Sequence, residues 1–143
     1  MMYWRLFYHI VWTTKHREPL IDAQLASPLH NSLAAKGTSL GALVHAVGGM
    51  EDHVHLVASV PPTMALFEFI RNLKGSSSHF ANHELSLPGP FRWQAEYGIV
   101  SFDGRLLDKV VQYVKNQQQH RADRTTIGIL ERVSENSKGS DRP

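Results

Sequence analysis

Hydrophobic and polar positions divide this chain into short alternating or apolar runs separated by helical periods. The segment Asp52-His53-Val54-His55-Leu56-Val57-Ala58-Ser59-Val60 alternates polar and apolar residues, then becomes fully apolar, as a strand does when one end opens on a cleft. Tyr3 to Thr14 is rich in aromatic and β-branched residues on both faces, which predicts a central strand. Lys15-His16-Arg17-Glu18-Pro19 ends it. Asp22 is placed to cap a helix running to about Lys36, with Leu25, Leu29 and Leu33 on its apolar face and Gly37 as C-cap. Pro28 falls within the first two turns, where proline is partly tolerated. Ser39 to Gly48 predicts a second strand, and Gly48-Gly49-Met50-Glu51 turns it back into the His-x-His strand as a hairpin.

Pro61-Pro62 stops that strand, and Thr63 caps a helix with Met64, Leu66, Phe67, Ile70 and Leu73 at helical spacing. Lys74-Gly75-Ser76-Ser77-Ser78 follows, and His79 to His83 again has helical character. Leu85 to Phe91 contains Pro88-Gly89-Pro90 and predicts a loop. Arg92 to Phe102 supplies a last strand in two short pieces, Asp103-Gly104 a turn, and Arg105 to about His120 a final helix. The resulting order, β-α-β-β-α-β and then a helix, is the split βαβ or ferredoxin-like arrangement. That is an α+β fold: an antiparallel sheet with helices on one face, plus a C-terminal helix. A single domain over 1–133 is expected, and the polar, aperiodic stretch 134–143 reads as a disordered tail.

Composition narrows the chemistry. With 143 residues, 42% hydrophobic and 20% charged, the chain has the make-up of one globular domain. It has no cysteine, which excludes disulfides, thiolate metal sites and cysteine nucleophiles. Met1-Met2-Tyr3-Trp4-Arg5 lacks a signal pattern and no apolar run has the length of a membrane span, so cytoplasmic residence without a membrane partner is expected. A net charge of +2 is compatible with a nucleic-acid partner without requiring one.

Nine histidines invite metal arguments, each to be weighed separately. His53 and His55, two apart on a strand, project from one face and can present ring nitrogens to one ion, although a solvated histidine pair has the same spacing. In the last helix Leu106, Leu107, Val110, Val111 and Val114 form the apolar stripe. Tyr113 and Gln117, four apart, share a face bordering it, which suits a rim tyrosine packed on the sheet as well as a reactive phenol. His79 and His83 have a metal-pair spacing but no obvious third ligand, and read as surface residues. His9, His45 and His120 read as structural or surface histidines.

Glu51-Asp52-His53-Val54-His55-Leu56 resembles the histidine-hydrophobic-histidine motif of the IS200/IS605 transposases, the single-tyrosine HUH enzymes, and Tyr113-Val114-Lys115-Asn116-Gln117 is similar to their tyrosine-xxx-glutamine helix. Tyr8 to Arg17 and Leu73 to Ser77 also resemble family blocks, all four occur in family order, and the likeness runs from about Tyr3 to His120. One departure is Glu51, where relatives more often carry proline.

The resemblance implies a divalent ion, Mg²⁺ or Mn²⁺, held by His53, His55 and Gln117, with Tyr113 as nucleophile and Asp52 fixing a histidine tautomer from behind. It further implies cleavage and rejoining of single-stranded DNA carrying hairpins, and a homodimer. Lys15, Arg17, Arg71, Lys74, Lys109, Lys115 and Arg121 are the cationic candidates for DNA phosphates, with Ser76 and Ser77 as hydroxyl donors. Trp12, Trp93 and Tyr97 are placed either to stack bases or to pack the core. Three other readings fit parts of the pattern. One is a domesticated relative that processes repeated palindromes. Another is a non-catalytic binder of single strands. The third is a small zinc hydrolase, which would need a carboxylate beside His53 and His55.

Overall fold

A computed structural model describes residues 3–117. Four strands, β1 (Phe7–Thr13), β2 (Leu43–Met50), β3 (His53–Ser59) and β4 (Gly98–Phe102), form one antiparallel sheet in the order β2-β3-β1-β4. The helices are α1 (Ala23–Ser39), α2 (Leu66–Glu84) and α3 (Leu107–Lys115). Element order and strand order are those of the split βαβ arrangement expected from the pattern, while Arg121, His120 and the 134–143 tail lie outside the described residues.

The two faces of the sheet are covered unequally. Ile10, Trp12, Val54, Leu56 and Ala58 point to one face. There they bury against Leu25, Leu29 and Leu33 of α1 and Phe69, Ile70 and Leu73 of α2. The other face carries a smaller cluster, in which Ala46 and Val57 meet Val110, Tyr113 and Val114 of α3. Because side chains alternate along a strand, His53 and His55 share this second face with His9. The motif histidines therefore lie under α3, opposite the main core.

Several boundaries differ from the expectation. Asp22 does cap α1, its carboxylate accepting from the Leu25 amide at 2.8 Å. The helix, however, continues through Gly37 to Ser39. Gly37 is there for closeness, since a Cβ would sit 2.7 Å from Val44 Cγ2. Gly48 and Gly49 are inside β2, and the hairpin turns at Glu51 and Asp52. Ala65 rather than Thr63 precedes α2, which runs unbroken through Gly75, Ser76, Ser77 and Ser78 because Leu73, Ser77 and Ala81 continue its buried stripe. Glycine and serine have poor intrinsic helix propensity, and tertiary burial overrides it. The Arg92–Phe102 strand does come in two pieces: Trp93 bridges Thr14, and β4 begins only at Gly98.

Candidate metal and nucleophile site

β3 lies between β1 and β2, so both motif histidines are fully buried, and each is held by its Nδ1. His53 Nδ1 lies 2.7 Å from Asp52 Oδ1. The other carboxylate oxygen, Oδ2, accepts from Arg17, at 3.0 Å from Nε and 2.9 Å from Nη2. Burial works against the Asp52 carboxylate, but the hydrogen bond and charge of His53, with the Arg17 guanidinium, outweigh it and hold the carboxyl below its ordinary value. His55 Nδ1 lies 2.8 Å from Nε2 of His9, itself buried in β1. With both Nδ1 atoms engaged, Nε2 is the nitrogen of each ring that could coordinate an ion. The two rings stand 5.0 Å apart at 75°.

α3 delivers the rest. Its buried residues are Val110, Tyr113 and Val114, followed by Gln117, while Leu106 is 47% exposed. Of the expected stripe, Val110 and Val114 are buried and Leu107 and Val111 pack beside them, while Tyr113 joins this face, so the phenol lies inside the interface instead of at its rim. The Tyr113 ring meets the His55 ring edge-on, centroids 6.1 Å apart, within a single chain. α3 ends at Lys115 and does not run on as one helix, since Asn116 (φ −104°, ψ 30°) breaks the regular geometry before Gln117. Asparagine's competing local hydrogen bonds suit such a position. Gln117 is buried beside Gly48 and Gly49, at a cavity of about 410 Å³ that His30, Lys115 and Asn116 also line.

That approach depends on Gly48. It pairs with His55 across the sheet, and a Cβ there would stand 2.3 Å from the Val114 carbonyl oxygen. Glycine at this position lets the α3 backbone settle directly on β2, which sets the depth of Tyr113 and Gln117.

Two imidazoles and an amide oxygen form a neutral donor set suited to a divalent ion that must keep its charge for a phosphate. Among the described residues no group of three His, Cys, Asp or Glu side chains is arranged to hold a metal ion. The zinc-hydrolase alternative therefore lacks its carboxylate there. His79 and His83 are exposed and stacked, with centroids 4.2 Å apart on α2.

The expected DNA contacts fall into separate groups. Lys15, Arg71 and Lys74 line a cavity of about 660 Å³ on the α2 side of the sheet, together with Trp93, Tyr97 and Phe67. Arg92, absent from the expected set, lines it too, and only the pairing of its segment with β1 brings it there. Lys109 and Lys115 are exposed on α3. Three expected contacts have other work. Arg17 is committed to Asp52. Ser77 is fully buried, its hydroxyl accepting from Trp93 Nε1 at 2.9 Å and donating to the Lys74 carbonyl, so it positions the indole rather than a phosphate.

Lys74 Nζ donates to the carbonyls of Gln94, Ala95 and Glu96 at 2.7, 3.1 and 2.9 Å, tying that loop to α2. Burial pushes its ammonium down to about 8, with the Glu96 charge opposing. Ser76, half-buried, faces the groove between α1 and α2 beside Pro28 and Phe80. Trp12 is fully buried in the core, and Trp93 stands edge-on to it at 5.7 Å. No helix among the described residues is long and apolar enough to cross a membrane.

Comparison with known proteins gives a consistent outcome. The family model described as "Transposase IS200 like" matches residues 2–117. The ISDra2 transposase TnpA of Deinococcus radiodurans is 27% identical over 119 residues, covering 80% of this chain and 85% of that protein. A crystal structure of a D. radiodurans R1 protein described as a transposase superposes with a TM-score of 0.63 at 28% identity, over 82% of this chain and 95% of the other. A REP-associated tyrosine transposase bound to a REP hairpin shares the fold, with a TM-score of 0.61 at 14% identity, over 94% and 79% of the two chains.

Proposed function

The chain belongs to the IS200-like transposase family, and on that premise we propose that it cuts and rejoins single-stranded DNA through Tyr113. What supports this reading is one arrangement: Tyr113 packs against His55 on the buried face where Nδ1-anchored His53 and His55 meet the helix leading to Gln117.

The phenol oxygen attacks a backbone phosphorus, an O–P bond forms to Tyr113, and the P–O bond to the 3′ oxygen breaks. The phenol gives up its proton and the departing 3′ oxygen takes one up, so the step is proton-neutral. A 5′-phosphotyrosine and a free 3′-hydroxyl result, and because the phosphodiester energy is kept, the reverse attack rejoins strands without a nucleotide cofactor. A phenol with a pKa of about 10 is a weak nucleophile at neutral pH. His53, His55 and Gln117 would hold a divalent ion, Mg²⁺ or Mn²⁺, which would supply positive charge to polarise the phosphate and offset charge on its oxygens. The chain's own contribution is geometric. Asp52, backed by Arg17, orients His53, and the close approach at Gly48 sets Tyr113 against the histidines.

DNA enters this reading through the cationic groups. Lys15, Arg71 and Arg92 around the α2-side cavity, with Trp93 and Tyr97 beside them, suit backbone phosphates and unpaired bases. Lys109 and Lys115 flank the Tyr113 side. The REP-hairpin complex of a protein with the same fold makes hairpin-bearing single strands the first ligand to supply, and a homodimer is the assembly that the motif resemblance implies. The test is a denaturing-gel assay of labelled single-stranded DNA from the gene's flanks, with and without Mn²⁺, comparing wild type with Tyr113→Phe and His53→Ala. A metal-dependent covalent band absent from both variants is expected. Adduct formation by Tyr113→Phe would end the proposal.

A further inference from the structure

His9 sits at the centre of β1, 1% exposed, at a place where valine or isoleucine would bury more cheaply than an imidazole. It faces Val57 across the β1–β3 ladder, and His55 faces Val11, so the two histidines are diagonal neighbours on one sheet face. Their rings stand 4.9 Å apart, with His9 Nε2 at 2.8 Å from His55 Nδ1. This contact lies at the rear nitrogen of His55, as that of Asp52 lies at the rear nitrogen of His53.

We propose that His9 is a positioning residue that fixes His55 as its Nδ1–H tautomer, so that Nε2 faces the Tyr113 side as a ligand. This deepens the metal reading above and rests on it. For His55 to coordinate through Nε2, its proton must sit on Nδ1, and His9 must accept it at Nε2, which leaves the proton of His9 on its own Nδ1. Without an acceptor at that point, either nitrogen of His55 can carry the proton, and one of the two forms cannot bind an ion.

The choice of a neutral acceptor has a physical reason. At His53 the acceptor is a carboxylate, but Arg17 neutralises it at 2.9 Å. A carboxylate in place of His9 would add buried negative charge behind a site meant for a polyanionic substrate. Imidazole orients His55 without adding negative charge. Both backing groups therefore leave the donor set close to neutral, and the ion keeps its charge for the phosphate.

The test compares wild type, His9→Phe, which keeps a planar ring but has no acceptor, and His9→Gln, whose amide oxygen reaches a position near that of the lost Nε2. Long-range ¹⁵N–¹H spectra of the metal-free proteins read the His55 tautomer, and titration with Mn²⁺ reads affinity. Hairpin binding in EDTA serves as the measure of intact folding. The expected result is loss of the Nδ1–H form and about 10- to 100-fold weaker Mn²⁺ binding in His9→Phe, recovery in His9→Gln, and unchanged hairpin binding in all three. His9→Phe with the wild-type tautomer and affinity would overturn the proposal, and so would a folded His9→Gln lacking both. Should His9→Phe not fold, His9→Gln against wild type decides by the same two readouts. Failure of the wild type itself to bind Mn²⁺ would sink the metal reading instead, while the tautomer comparison still judges His9.

Discussion

Gly48→Ala places one methyl group between β2 and α3. The new Cβ would lie 2.3 Å from the Val114 carbonyl oxygen and 3.1 Å from its carbon. Ordinary C···O contact begins at about 3.3 Å, so relief requires displacement of about 1 Å. β2 is paired to β3 along its length and backed by α1, whereas α3 is held by the small cluster of Ala46, Val57, Val110, Tyr113 and Val114. The helix is therefore the part that moves, carrying Tyr113 and Gln117 away from His53 and His55. Overpacking of this kind costs about 1–3 kcal/mol, which a domain stable by about 5–15 kcal/mol survives. Misplacement of a reacting group by about 1 Å costs on the order of 100-fold in rate. Single-turnover formation of the covalent adduct in Mn²⁺, read beside thermal melting and hairpin binding, should show about that loss in a folded protein that binds DNA normally. Cleavage by Gly48→Ala at the wild-type rate would refute the idea that Tyr113 is set by α3 resting on Gly48.

Gly75→Ala is the contrasting case: nothing lies within 4 Å of the added Cβ in mid-α2, so a melting curve should show stabilisation of about 0.5–1 kcal/mol. Ser77→Ala removes the acceptor of the Trp93 indole and should destabilise by about 1–3 kcal/mol in urea titration. Arg17→Ala should slow adduct formation about 10- to 100-fold through Asp52 without lowering the salt dependence of hairpin binding; a slope reduced by about one unit would instead make Arg17 a phosphate contact. Lys74 titrates near 8 when folded against 10.5 for its ordinary value, so the unfolded chain binds more protons between those pH values. Its contribution to stability should then rise with pH across that window, and urea midpoints of wild type and Lys74→Met should separate there in favour of wild type.

Local pattern alone determined much of this protein. Period-two alternation put His53 and His55 on one strand face, helical spacing marked Leu25, Leu29 and Leu33 as buried, Asp22 announced the start of α1, and the order of elements implied the sheet topology. Each of these is a property of neighbours in the chain, so sequence carries it. Tyr113 and Gln117 were legible as a motif, but their depth was not, because the buried face of α3 follows from the gap that Gly48 leaves in β2. The passage of α2 through Gly75–Ser78 was likewise decided by what Ser77 and Ala81 pack against. Asp52 behind His53 was legible as a neighbour in the motif, but two other groups behind the site were not: His9 meets His55 across 46 residues and Arg17 meets Asp52 across 35. Which side chains face each other across strands depends on register and on where a turn ends. A histidine buried in β1 and an arginine after it acquire their roles only when β1 pairs with β3, and that pairing belongs to the tertiary structure.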